Sequence, residues 1–258
     1  RPEGKILKII THAHETLVGT YHNQRNFGFV AVDDTKITDD IFISKSHNAN
    51  AKDGQKVVVK ITKWRDGDKK CEGEIIEILG NAYDSGVDVL CVLRKYGISQ
   101  EFPQVVIDEA RSLIPGITGD EIARREDFRT KTVITIDGTD AKDLDDAVCA
   151  ERIDGGYELS VHIADVTHYV RENSPIDAEA FRRGTSVYFT DRVVPMLPVE
   201  LSNNICSLNP HTNKLTLSVV MEISDDGELL SHRVVEGVIS TAHRMTYDTV
   251  DKILLGDS

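Results

Sequence analysis

Disulfide frameworks, zinc sites and membrane spans all need residues that this chain has little of. It holds four cysteines in 258 residues, Cys71, Cys91, Cys149 and Cys206, far apart and with no CxxC or Cys/His spacing. Neither a disulfide scaffold nor a structural zinc site is therefore encoded, and the thiols read as reduced groups of a cytoplasmic protein. The nine histidines form no HExxH or HxxxH pair; His162 and His168, within VHIADVTHYV, are expected to be structural. No apolar run approaches the roughly 18 residues of a membrane helix, so no membrane association is expected. Positive charge is scarce too. Thirty Lys and Arg face 43 Asp and Glu, and the net charge of −13 excludes a protein that coats polyanions over its whole surface. The chain opens RPEGKILKII, without initiator methionine or signal peptide, and is expected to be a piece of a longer protein.

The charge that is present is unevenly spread. Residues 1–80 carry 13 basic and 12 acidic side chains, whereas the rest carries 17 and 31. Any contact with nucleic acid should therefore be local. The densest acidic run is TIDGTDAKDLDD, with five aspartates and one lysine between Asp137 and Asp146. Clustered carboxylates repel one another and are costly to desolvate, so a cation belongs among them. Apolar β-type stretches flank the run, Val133, Ile134 and Ile136 before it and Ala147 and Val148 after it. It reads as a loop between two buried strands, where ligands are held firmly. Oxygen-only donors favour hard ions such as Mg²⁺ or Mn²⁺ over zinc or copper.

Plainer readings compete with a metal site. A solvated acidic loop is one. An EF-hand fails on spacing, because Lys142 stands where glycine is needed when counting from Asp137, and Val148 when counting from Asp143. A DxDx[TV] phosphatase motif fails at Ala147. The pattern left is D-x5-D-x-D-D, formed by Asp137, Asp143, Asp145 and Asp146.

Along the chain, LVGTYHN, NFGFVAVDD, DIFISKS, GQKVVVKITKW and CEGEIIEILG read as five short strands over residues 17–80, the signature of a small OB-type barrel. Phe27 and Phe29 share one strand face and Phe42 lies on the next strand; the pair of strands resembles the RNA-binding strands of cold-shock domains, whose exposed aromatics stack on unpaired bases. Periodicity alone fits Phe29 and Phe42 equally well as barrel core. The basic neighbours Arg25, Lys56, Lys60, Lys63 and Arg65 favour RNA. Residues 81–122 read as a helical connector. In it, Pro103 starts one helix with Val105, Val106, Ala110 and Leu113 mostly on one face, Pro115-Gly116 stops it, and a second helix runs from Asp120 to Phe128. Strands predominate from 131 onward: TVITI, AVCAE, YELSVHIAD, TSVYF, KLTLSVVMEI and a returning strand over Leu229–Ser240. One helix interrupts them, with Ser174 as N-cap, Pro175 and Asp177 in its first turn and Gly184 at its stop. A final helix begins at Thr246.

Four separated motifs then agree with one family in wording and order: TIDGTDAKDLDDAV, YELSVHIADVTHYV, RRGTSVYF and VVPMLPVELSNNICSLNP. Together they resemble the first half of the RNB catalytic domain of the ribonuclease II and ribonuclease R exoribonucleases, nearer the ribonuclease R branch, with a cold-shock domain directly upstream. The resemblance covers essentially the whole chain. It implies an α+β chain in which residues 1–16 end a preceding cold-shock domain or linker and 17–80 form a cold-shock barrel. The connector follows at 81–122, and residues 123–258 form the N-terminal half of a mixed α/β RNB domain.

The resemblance further implies hydrolytic 3′→5′ removal of nucleotides from single-stranded RNA, releasing 5′-monophosphates with Mg²⁺ or Mn²⁺. Asp137, Asp143, Asp145 and Asp146 match the family's catalytic acids, and Asp140 falls outside the set. Asp137, Asp146 and, after them, Asp143 are the expected metal ligands. Asp145 is expected to orient the nucleophile or serve a second metal. Tyr188 matches the aromatic packed against the 3′-terminal nucleotide, although plain strand core is its alternative. Arg182 and Arg183 read either as phosphate contacts or as surface charges at a helix end. The family's later phosphate-gripping arginine, second base-clamping aromatic and C-terminal OB-type domain have no counterpart here, so the remainder of the RNB domain is an expected partner. The rival reading is an inactive RNA-binding clamp with an RNB-like domain, for which four intact acids are not needed.

Overall fold

The structure, a computed structural model, describes residues 10–65, 70–113 and 117–256. The opening RPEGKILKI and the helix stop at Pro115-Gly116 lie outside the described residues. The chain divides into two compact units, Arg1–Gln100 and Glu101–Ser258.

In the first unit, β1 (Thr16–Asn23), β2 (Phe27–Val32), β3 (Ile41–Ser44), β4 (Gln55–Lys63) and β5 (Glu72–Asn81) close a barrel in the order β1-β2-β3-β5-β4. Neighbours run antiparallel except β3 and β5. The period-two alternation of a pleated strand sorts each sequence into two faces. Tyr21, Val30, Ile41, Ile43, Val57 and Val59 fill the interior. Phe27, Phe29 and Phe42 lie out of that core. Gly28 is required between the two phenylalanines of β2, because a Cβ there would fall 2.3 Å from the Tyr21 ring. Helix α1 (Val87–Lys95) packs Val87, Leu90 and Cys91 with Val18, Val58 and Leu79, a small second core.

The stretch expected as a connector is split between the units. Its first helix, α1, belongs to the barrel unit, whereas α2 (Gln104–Ser112) and α3 (Gly119–Arg124) belong to the second. Val106 and Ala110 of α2 are buried in the second unit's core. α3 begins at a Thr118 cap that accepts from the Glu121 amide at 3.2 Å. It stops four residues short of the expected Phe128, because Glu126–Asp127 extend as β6 to pair in parallel with a later strand and Phe128 enters the core.

The second unit is a mixed sheet of seven strands. β7 (Ile134–Asp137), β8 (Asp146–Ile153), β9 (Gly156–Ala164), β12 (Asn213–Ser224) and β13 (Leu229–Ser240) form its antiparallel centre. β14 (His243–Thr246) and β6 pair in parallel at its two edges. Between β9 and β12 the chain makes α4 (Val166–Tyr169), α5 (Pro175–Arg183), the short ribbon β10 (Val187–Tyr188) and β11 (Val193–Val194), and a π-helical turn at Glu200–Ile205. α6 (Tyr247–Leu255) follows β14. The capping chemistry of α5 is as read from the sequence: Ser174 accepts from the Asp177 amide at 3.2 Å, and Gly184 adopts the left-handed φ of 73° that ends the helix.

Two buried polar groups organise this unit. His162 lies between Ser218 (2.8 Å) and Ser160 (3.1 Å), edge-on to Phe128, and burial pushes its pKa down to about 4. It is a neutral structural residue, as expected. Arg125 reaches Asp165 at 2.6 Å, Glu121 at 2.6 Å and the Thr216 carbonyl at 3.2 Å, all inside the fold. No helix among the described residues is long and apolar enough to cross a membrane.

Candidate active site

Asp137 closes β7 and Asp146 opens β8, so sheet pairing brings the two ends of the acidic loop together. Leu144, fully buried, nails the loop's middle into the core and leaves Asp143, Asp145 and Asp146 at the surface of the site. Backbone bonds fix this arm. Ser207 Oγ accepts from the Leu144 amide (3.0 Å) and donates to the Lys142 carbonyl (2.9 Å). The Leu208 amide donates to the Leu144 carbonyl at 2.8 Å, and the Ala164 amide to the Asp145 carbonyl at 2.9 Å. The other arm is held by Arg244 of β14, whose Nη2 donates to the carbonyls of Thr139 (2.9 Å) and Ala141 (2.6 Å).

The acids feel one another. Burial, then Asp146 and, more weakly, Asp143 raise the carboxyl of Asp137 above its ordinary range, against the opposing charge of Arg244. Asp145 keeps some surface open to solvent, yet desolvation raises its carboxyl as well, followed by Asp143, Asp146 and Asp137. Asp137 Oδ2 is buried with no hydrogen-bond partner. An unsatisfied, desolvated carboxylate oxygen amid like charges suits a cation, and an all-oxygen donor set suits a hard one. The three expected ligands Asp137, Asp143 and Asp146 share one loop but not one coordination geometry. Among the described residues no three His, Cys, Asp or Glu side chains stand close enough to hold a single ion as they lie. Asp140 is exposed and lines the larger of two adjoining cavities.

Those cavities meet at Asp143, Ser186 and Ser202, which line both. The smaller, about 340 Å³, adds Asp145, Tyr188 and the apolar Ile163, Val166, Met196 and Leu197. The larger, about 800 Å³, mixes polar and apolar walls, with Lys142, Asn203 and Arg244 beside Phe189 and Val193. Tyr188 is not strand core. It is 66% exposed, and its hydroxyl donates to Asp143 Oδ2 at 3.2 Å. The π-helical turn that presents Ser202 and Asn203 is secured by Lys214, whose ammonium donates to the carbonyls of Asn204 and Ile205.

Neither reading of Arg183 fits. Its guanidinium is buried, bonded to Glu179 (2.8 Å) and to the carbonyls of Pro195 (3.1 Å) and Glu101 (2.7 Å), with the Phe102 ring 3.7 Å away. It locks α5 in place and is unavailable to a phosphate. Arg182 is exposed and pairs with Glu179. On the barrel, Phe27 (40% exposed) and Phe42 (37%) lie side by side with ring centroids 5.6 Å apart; Phe29, half-buried, stacks on His22. Of the expected basic neighbours, Lys56, Lys63 and Arg65 are engaged by Asp33, Glu72 and Asp39, while Arg25 and Lys60 are exposed. Ser207 and Arg244 escaped sequence reasoning. Ser207 sits in a quoted motif, but nothing in its spacing signals a bond to a loop 63 residues earlier.

A five-stranded barrel followed by an acid-loop sheet defines an α+β protein with a cold-shock-type unit ahead of an RNB unit. Family comparison agrees: residues 29–103 match the cold shock domain and residues 125–258 the RNB domain, and the chain belongs to the RNB family. It is 46% identical to Ribonuclease R 1 of Lactococcus lactis, over 99% of this chain and 32% of that protein. It is 41% identical to Ribonuclease R of Thermotoga maritima, over 98% and 36%. The Mycoplasma genitalium RNase R solved in complex with double-stranded RNA superposes with a TM-score of 0.91 at 28% identity, over 98% of this chain and 45% of that one. The chain thus spans about a third of the length of the curated relatives it matches.

Proposed function

We propose that this chain carries the metal-binding part of a cytoplasmic 3′→5′ exoribonuclease that hydrolyses single-stranded RNA to 5′-mononucleotides. The observation that carries the reading is the acid cluster itself: two carboxyls raised by burial and mutual repulsion, one with an orphaned oxygen, beside a cavity bordered by an exposed tyrosine. Asp137 and Asp146 would hold the ion and Asp143 would complete its shell after a side-chain rotation. Mg²⁺ or Mn²⁺, when bound, supplies Lewis-acid activation of water and neutralises charge at the leaving oxygen. Asp145, its carboxyl already raised, is suited to hold a proton of the attacking water. Tyr188 stacks the terminal base over the apolar walls of the smaller cavity, and Phe27, Phe29 and Phe42 offer rings to unpaired bases on the barrel unit.

The test is an end-labelled RNA with a 3′ overhang, incubated with the full-length protein that contains this chain. Mononucleotides should appear with Mg²⁺ and vanish with EDTA. Intact RNA under both conditions would leave the clamp reading in its place. Tyr188→Ala removes a ring worth about 1–3 kcal/mol of stacking. The final product should lengthen by a few nucleotides, because short remnants dissociate before they are cut. An unchanged product ladder on a sequencing gel would remove Tyr188 from the terminal subsite.

A further inference from the structure

The acidic loop has two arms, and they are anchored in different ways. Lys142 to Asp145 is tied to packed neighbours through Ser207, Leu208 and Ala164, all by backbone or hydroxyl bonds. Gly138 to Ala141, the arm that sets the span from Asp137 to Asp143, turns on an Ala141 amide to Gly138 carbonyl bond of 3.1 Å. Arg244 links it to the sheet by side-chain bonds. Parallel pairing of β14 with β7 sets Arg244 opposite Thr135 and Thr246 opposite Asp137, so the guanidinium starts two residues before the acid and reaches past it. One nitrogen then holds two carbonyls of the arm at 2.9 and 2.6 Å.

We infer that Arg244 is a positioning residue for metal binding: it clamps the arm between Asp137 and Asp143 so that both carboxylates can reach one ion. This rests on the metal-dependent reading above. The choice of a cation for the clamp is informative. A positive charge beside a cation site opposes the ion electrostatically, so a residue kept only for its charge would weaken metal binding. The clamp must gain more through geometry than it loses through repulsion. The sign of one measurement separates the two roles.

The experiment is a Mn²⁺ titration of the full-length protein, with bound and free ion distinguished by electron paramagnetic resonance, for wild type, Arg244→Met, Arg244→Lys and Asp146→Asn. Residues that orient metal ligands from behind change affinity by about 10- to 100-fold when removed. Arg244→Met should bind Mn²⁺ at least about 10-fold more weakly, with RNA affinity in EDTA unchanged. Arg244→Lys, which keeps charge and donors, should recover most of the loss. In RNA hydrolysis, the Mg²⁺ concentration for half-maximal rate should rise while the rate at saturating Mg²⁺ stays near wild type, a split that general loosening of the fold would not give. Tighter or unchanged Mn²⁺ binding by Arg244→Met would overturn the inference. Should that variant fail to fold, Arg244→Gln, whose amide ends two bonds short of where the guanidinium nitrogen meets the Thr139 and Ala141 carbonyls, must still bind more weakly than Arg244→Lys; the reverse order overturns it equally. If wild type shows no Mn²⁺ site that Asp146→Asn removes, the metal reading itself falls, which is a different result from a normal site that ignores Arg244.

Discussion

Asp146→Asn should slow RNA hydrolysis by roughly a thousandfold or more in the full-length protein, with RNA affinity within a few-fold of wild type. The asparagine keeps the shape of the side chain at the start of β8 and removes its charge. A metal ligand contributes several kcal/mol to stabilising the charge that develops on phosphodiester cleavage, and about 4 kcal/mol corresponds to three powers of ten. RNA affinity should hardly move, because the stacking proposed for Tyr188 and the barrel aromatics is left in place. Single-turnover decay of end-labelled RNA, set beside fluorescence anisotropy in EDTA, measures both quantities. Wild-type turnover by the variant would remove Asp146 from the catalytic set.

The second large effect concerns stability. Arg125→Met should destabilise the second unit by roughly 3–5 kcal/mol, the usual cost of stripping one partner from a buried ion pair. The side chain lost is the cation paired with buried Asp165 and, after Arg124, a second partner of Glu121. Hydrogen bonds from Arg124 and then Arg125 hold Glu121 down at about 2, and hydrogen bonding to Arg125 and Thr167 lowers Asp165 although burial alone would raise it. Carboxyls held below their unfolded values stabilise the fold at neutral pH, and that contribution drains away as pH falls from about 4 through the depressed values. Wild type should therefore lose stability over that acid range, while Arg125→Met should begin lower and fall less steeply. Urea unfolding at several pH values reads this directly. Parallel pH curves for the two proteins would show that the cluster adds nothing.

Much of this molecule is legible from its residues in order, and the reason differs from place to place. The barrel strands and α5 are local features: period two, a serine cap, a proline in the first turn, a glycine stop. The acid loop is legible because its five aspartates crowd into one short segment that solvation alone explains poorly. Phe27, Phe29 and Phe42 were ambiguous because alternation says which residues share a face and not which face is inside; Tyr21 and Gly28 decide that. Arg125, Arg183 and Arg244 were illegible for a different reason. Each has a partner 40 to 105 residues away besides any near neighbour, and a lone arginine carries no mark of the distant carbonyl or carboxylate it will meet. The π-helical turn was missed likewise, since Lys214, which secures it, acts from a later strand. The connector divided because the apolar faces of α1 and α2 found different cores.

Leu144 has a bearing on any effort to engineer this protein. It is a core residue by every measure of burial, yet it is flanked on both sides by acids of the cluster. A programme that treats interior positions as free for repacking and reserves caution for the acids would draw the boundary in the wrong place. Because interiors are close-packed, a methyl group gained or lost beneath Leu144 should shift the carboxylates on either side of it. The working tolerance of the acid cluster is therefore set one layer below the surface, by the shape of an apolar socket.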